Sequence, residues 1–163
     1  IHIKAITMKI IVGLALFFSL CGIGNAQTQS SVKEFSDRLS EKQDVLSKIS
    51  RNVLQMLQGS ISENDQITGL GAYDSSQNLY GQLTLLFTVS YIHTHMVDER
   101  DIKTVKIIFD TVCKLTIEKS EWTVKSINKA LPSIQSAALV NEVTKLRDAH
   151  NSILQTLEFC KTN

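Results

Sequence analysis

LTLLFTVSYIHTHM, residues 83–96, decides whether this chain contains a sheet. Its odd positions Leu85, Phe87, Val89 and Tyr91 are apolar and its even positions Thr84, Thr88 and Ser90 are polar, the period-two signature of a half-buried strand. A strand needs a partner for its backbone, however. No other segment alternates convincingly, and the candidates near Ile67 and Leu70 are interrupted by Gly69 and Gly71. Read instead as a helix from about residue 75 to 97, the same residues put Leu79, Leu83, Leu86 and Phe87 on one broad apolar side. The β-branched Thr84, Thr88 and Val89 make that helix intrinsically weak.

Helical periodicity recurs on both sides of it. Over 31–57 the residues Phe35, Leu39, Leu46, Ile49, Val53 and Met56 recur at spacings of three and four, with Lys42 the one polar member of the series. Ser31-Val32-Lys33-Glu34 reads as a capping box, and Gly59 as the stop. Residues 59–74, GSISENDQITGLGAYD, hold three glycines and no sustained period, which reads as a long loop. Gly69-Leu70-Gly71 lacks the lysine and preceding strand of a phosphate loop.

A third helix is expected over 99–131, capped by Asp98 or Asp101, with a stripe of Ile102, Val105, Phe109 and Val112 drifting onto Cys113, Ile117, Val124, Ile127 and Leu131. Glu118-Lys119-Ser120-Glu121 offers a place for a kink. Pro132 ends the third helix and opens a fourth, about 133–160, with the series Leu139, Val143, Leu146, His150, Ile153, Leu157 and Cys160. The expected fold is all-α, an up-down four-helix bundle.

A signal peptide is expected to precede it. After IHIKAIT come Met8 and Lys9, then the apolar run of residues 10–24, and Gly24-Asn25-Ala26 places small residues where a signal peptidase inspects the chain. The run is too short for a comfortable membrane anchor. Leu20 before Cys21 argues against a lipoprotein. Cleavage before Gln27 divides the chain into 1–26, upstream residues plus signal peptide, and 27–163, a single bundle domain in the periplasm or outside the cell. Without Lys4 and Lys9 the remainder carries 15 basic against 16 acidic residues. Nucleic-acid binding needs a basic surface, and here Lys103, Lys106 and Lys114 alternate with Asp98, Glu99, Asp101 and Asp110.

The candidate chemistry rests on five residues. In the expected topology His93 and His95 end helix 2, His150 interrupts the stripe of helix 4, and a metal, haem or small-ligand site between those helices would use them. Residues two apart on a helix point about 200° from each other, so His93 and His95 cannot share one ion on a continuous helix. Glu-x-x-His, C-x-x-C-H and H-E-x-x-H motifs are absent from the sequence, and no cofactor is expected. His150 therefore reads first as a polar position within the stripe, hydrogen-bonded to a neighbouring helix or placed at its wet edge, and His93 and His95 as a solvated helix end.

Export invites a disulfide between Cys113 and Cys160. Straight helices leave them nine residues out of step about Pro132, roughly 13 Å, which forbids it unless Ser120 kinks or the tail turns back after Leu154. Trp122 reads as an edge-packed residue or an anchor for a partner. The pairs Asp44/Lys48 and Glu142/Arg147 read as solvated faces. No serine sits in a nucleophile motif. The expectation is a non-enzymatic protein-interaction module, using helix surfaces or the 59–74 segment, with a histidine-based carrier of metal, haem or small ligand as the alternative.

Overall fold

The computed structural model describes residues 26–59, 61–96 and 98–162. The apolar run of the expected signal peptide, residues 10–24, lies outside them. The deciding stretch is helical: it forms the second half of α2 (Glu63–His95), which follows α1 (Ala26–Leu57) and precedes α3 (Glu99–Ala130), a 3-10 turn (Leu131–Ser133), α4 (Ala137–Leu157) and the short α5 (Phe159–Thr162). The protein is all-α with four long helices, and no strand occurs among the described residues.

Leu83, Leu86, Val89, Ser90 and His93 face inward at spacings of three and four, while Thr84 and Tyr91 face outward. The polar members of the apparent alternation are tied to the helix itself. Thr84, Thr88 and Ser90 donate their hydroxyls to the carbonyls of Tyr80, Thr84 and Leu86 at 2.8–3.0 Å.

The 59–74 loop is not there. Ser62 caps α2 by accepting the Asp65 amide, so helix begins at Glu63 and runs through Gly69 and Gly71. Gly69 reflects packing: a Cβ there would lie 2.5 Å from Leu57 Cδ2 and 3.4 Å from Leu139 Cδ2, so the glycine lets α2 approach α1 and α4 closely. At the other end of the chain, α1 starts at Ala26, upstream of Ser31, which therefore lies within the helix and does not cap it. Glu34 pairs with Arg38 one turn on.

α1 packs on α2 and α4, and α3 packs on α2 and α4. Contact of Gly69 with Leu57 at one end and a Gln43–Thr84 hydrogen bond (2.7 Å) further along show α1 and α2 running antiparallel. The core is built from the expected stripes: Phe35, Leu39, Leu46 and Val53; Leu79, Leu83 and Leu86; Val105, Phe109 and Ile127; and Leu139, Val143, Leu146, Ile153 and Leu157. Each fully buried leucine stabilises the fold by roughly 1.5–3 kcal/mol relative to exposure.

α3 departs from its expected stripe in the middle. Thr116, Ser120 and Thr123 are buried there, whereas Ile117 and Val124 are only partly covered. All three hydroxyls bond the carbonyl four residues earlier, which lets small polar residues enter the core within one unbroken helix.

The start of α4 also differs. Pro132 lies in the 3-10 turn rather than in the next helix, and α4 begins only at Ala137, capped by Ser136. Asp65 of α2 is responsible: buried, it accepts the amides of Gln135 (2.7 Å) and Ser136 (3.0 Å), holding that link extended.

Candidate functional site

Four residues shift in where α4 begins, and that shift brings Cys113 and Cys160 together. From Cys113 to Ala130 the helix rises about 26 Å and the 3-10 turn adds about 6 Å, against about 30 Å from Ala137 to Leu157. The two arms end level. The helix then breaks at Glu158, whose amide turns back to Gln155 and Thr156, and Cys160 on α5 is bridged to Cys113 with Cα atoms 5.8 Å apart. The same end of the molecule gathers rings: Phe159 stacks on Phe35 at 4.7 Å, Phe35 meets Phe109 edge-on at 6.0 Å, and His93 lies 5.9 Å from Phe109.

The histidines separate. His150 is fully buried, with Nε2 2.8 Å from Ser76 Oγ. Ser76 gives its one hydroxyl proton to the Ala72 carbonyl (2.9 Å), so its oxygen accepts from His150. That fixes the proton on Nε2 and leaves Nδ1 as an unpaired acceptor among the described residues. Burial pushes the imidazole down to about 4, so at neutral pH it is uncharged. A serine beside a histidine invites comparison with a nucleophile pair, but here the hydroxyl proton points to a backbone carbonyl and both side chains are sealed from solvent.

His93 is buried rather than solvated. Burial chiefly lowers its pKa, Lys106 adds to the effect and Asp110 opposes it. His95 is exposed, its Nδ1 2.8 Å from the Tyr91 carbonyl and its ring 4.1 Å from the Tyr91 ring. Ser76, which marks the level of His150, precedes His93 by 17 residues, about 26 Å along α2. The three histidines therefore do not converge, and no cluster of three metal-ligating side chains exists among the described residues.

Glu142 is not part of a solvated face. It is buried between α4 and α1, bonded to Lys145 and, at 3.3 Å, to Asn52, while Arg147 pairs with Asp148. The Lys145 hydrogen bond holds its carboxyl below the ordinary range against the opposing effect of burial.

A groove of about 420 Å³ lies elsewhere, between α2 and α3. Its α2 wall is Ile67, Thr68, Gly71, Ala72 and Ser75; its α3 wall includes Ser126, Ile127 and Ala130. Gly71 is the informative residue. A Cβ at this mid-helix position would meet nothing within 4 Å, so packing does not require glycine there, and the bare backbone faces the groove. Trp122, one turn before Ser126 on α3, is 54% exposed with the Lys119 ammonium 4.8 Å over its ring, and Ile67 on the opposite wall is 65% exposed.

No protein-family model matches the chain, and no curated protein or solved structure matches it either. Function is therefore argued from the site.

Sequence reading passed over the groove because its α2 wall fell within the segment read as loop. The signal was present as small residues at helical spacing, Gly71 and Ser75 against Ser126, Ala130 and Ser133.

Proposed function

We propose that this is an exported, non-enzymatic protein that binds another polypeptide, and that the α2–α3 groove with Trp122 is its contact surface. The observation that carries the reading is Gly71, a helical glycine with no packing reason that lies in the wall of the α2–α3 groove. Glycine costs a helix about 1 kcal/mol relative to alanine. Here the missing side chain leaves room for an occupant against the backbone. Grooves of this kind take an amphipathic helix whose apolar residues recur at i, i+3 and i+4. A half-exposed tryptophan beside small residues supplies the aromatic anchor that dominates such contacts.

Export is supported by the apolar run of residues 10–24 with its small-residue cleavage pattern, and by a cysteine pairing of the kind that persists in oxidising compartments. No helix among the described residues is long and apolar enough to cross a membrane.

The test uses Trp122, the chain's one tryptophan, as its reporter. Proteins retained by the immobilised chain are purified and titrated against wild type, Gly71→Phe and Gly81→Ala. Gly81 likewise has nothing near a Cβ but does not line the groove. A groove partner shifts Trp122 emission with wild type and Gly81→Ala and loses affinity at least about tenfold with Gly71→Phe. Equal binding by all three, turnover of a substrate, or a stoichiometric cofactor in the purified protein would each defeat the proposal.

A further inference from the structure

We infer that the Cys113–Cys160 bridge is the release point of a latch: a thiol reductant that attacks Cys160 frees α5 and uncovers an aromatic floor built on Phe35. The inference is independent of the groove, which lies between α2 and α3 and includes no residue of this end.

α5 is only four residues long, and a single helical turn does not sustain itself. It is also set off from α4 by the break at Glu158. The bridge is its covalent attachment to α3. Once the bridge is open, side-chain contacts such as the Phe159–Phe35 stack must offset the entropy of ordering the whole segment, and a ring stack is worth less than ordering several residues costs. Phe35 is 3% exposed in the closed form. Phe159 forms part of the wall of a cleft of about 180 Å³ that also includes Phe35, Arg38, Gln155 and Thr156. Withdrawing Phe159 widens that cleft onto the face of Phe35.

The two sulfurs are not equivalent. Cys113 is 2% exposed in the core, whereas Cys160 is partly exposed on α5. A reductant thiolate therefore reaches Cys160 Sγ; the Cys113–Cys160 bond breaks, and Cys113 leaves as a thiolate and takes up a proton. One equivalent of a monothiol stops there, as a mixed disulfide on Cys160, which a second molecule of the thiol would resolve. With a dithiol, the second thiol closes on the first and returns Cys160 as a thiol, so the dithiol loses the two electrons that the bridge gains.

The test is hydrogen exchange on the full chain before and after dithiothreitol, with complete reduction checked by alkylation, alongside the Cys160→Ser variant without reductant. We expect amides 158–162 to exchange at least about tenfold faster in both, Phe35 and its neighbours to follow, an apolar dye to bind, and the centres of α2 and α3 to stay protected. With limiting glutathione the adduct is expected on Cys160. Unchanged exchange over 158–162 after full reduction, exchange of all four long helices as fast as that of 158–162, or an adduct on Cys113 would each overturn the latch.

Discussion

Ser76 Oγ accepts the Nε2 proton of His150 in the core, joining two helices, α2 and α4, that lie diagonally opposite in the bundle. The imidazole titrates at about 4 when folded and at about 6.5 when exposed. Between those values the unfolded chain binds more protons, so stability falls as pH drops from about 6.5 to about 4 and levels off below. The loss from this residue is about 3 kcal/mol. The lowered pKa of His93 acts in the same direction, and that of Glu142 adds a further loss at more acid pH. Urea unfolding at pH 7, 5.5 and 4.5 is expected to show the slope, and His150→Gln, which keeps a donor for Ser76, to flatten it. An unaltered slope in the variant would refute the assignment.

Three helical glycines are expected to respond differently to substitution. Alanine at Gly71 or Gly81 meets no atom within 4 Å and gains about 0.5–1 kcal/mol of stability from reduced unfolded-state freedom. Valine at Gly69 is forced into Leu57 and Leu139 and costs about 1–3 kcal/mol. Thermal melts of the three variants separate the glycine that serves packing from the two that do not.

Asp65→Ala removes two hydrogen bonds from a carboxylate to backbone amides and frees the link before α4. Each bond to a charged group is worth about 1.5–3 kcal/mol, so a loss of about 3 kcal/mol is expected in denaturant unfolding. Asp65→Asn, which keeps one acceptor, should fall between.

Replacing both Cys113 and Cys160 by serine releases a constraint over a separation of 47 residues. Chain entropy sets the expected loss at about 4 kcal/mol. A lower denaturant midpoint with an unchanged helical spectrum at pH 7 would show that the bundle folds without the bridge.

Much of the core was legible because it is written in spacing: the stripes of α1 and α4 are buried residue for residue, Ile49, Met56 and Cys160 being only partly covered. Residues 63–74 were misread because their glycines look like breakers, and only the proximity of Leu57 and Leu139 reveals Gly69 as a contact. The late start of α4 was equally hidden, since it depends on a carboxylate some 70 residues earlier in the chain. The cysteine ruler failed for that reason together with the break at Glu158, which carries Cys160 off the line of α4. His150 was readable as a polar position in the stripe, bonded to a neighbouring helix or at its wet edge, and the first holds; its partner Ser76 was not readable, because one serine among many carries no mark. His93 was placed in solvent when the ring of Phe109 in fact covers it.

The clasp between Asp65 and the link before α4 also sets an order of events. The large helix interfaces join neighbours in the chain, apart from the closing pair α1 and α4, and such hairpins assemble quickly from local encounters. The clasp instead needs the first turn of α2 and the 3-10 corner to be in place beforehand, so it is expected to close after the folding barrier is crossed. Its loss should therefore quicken unfolding and leave the rate of folding almost untouched, so that this aspartate governs how long a folded molecule lasts rather than how soon it forms.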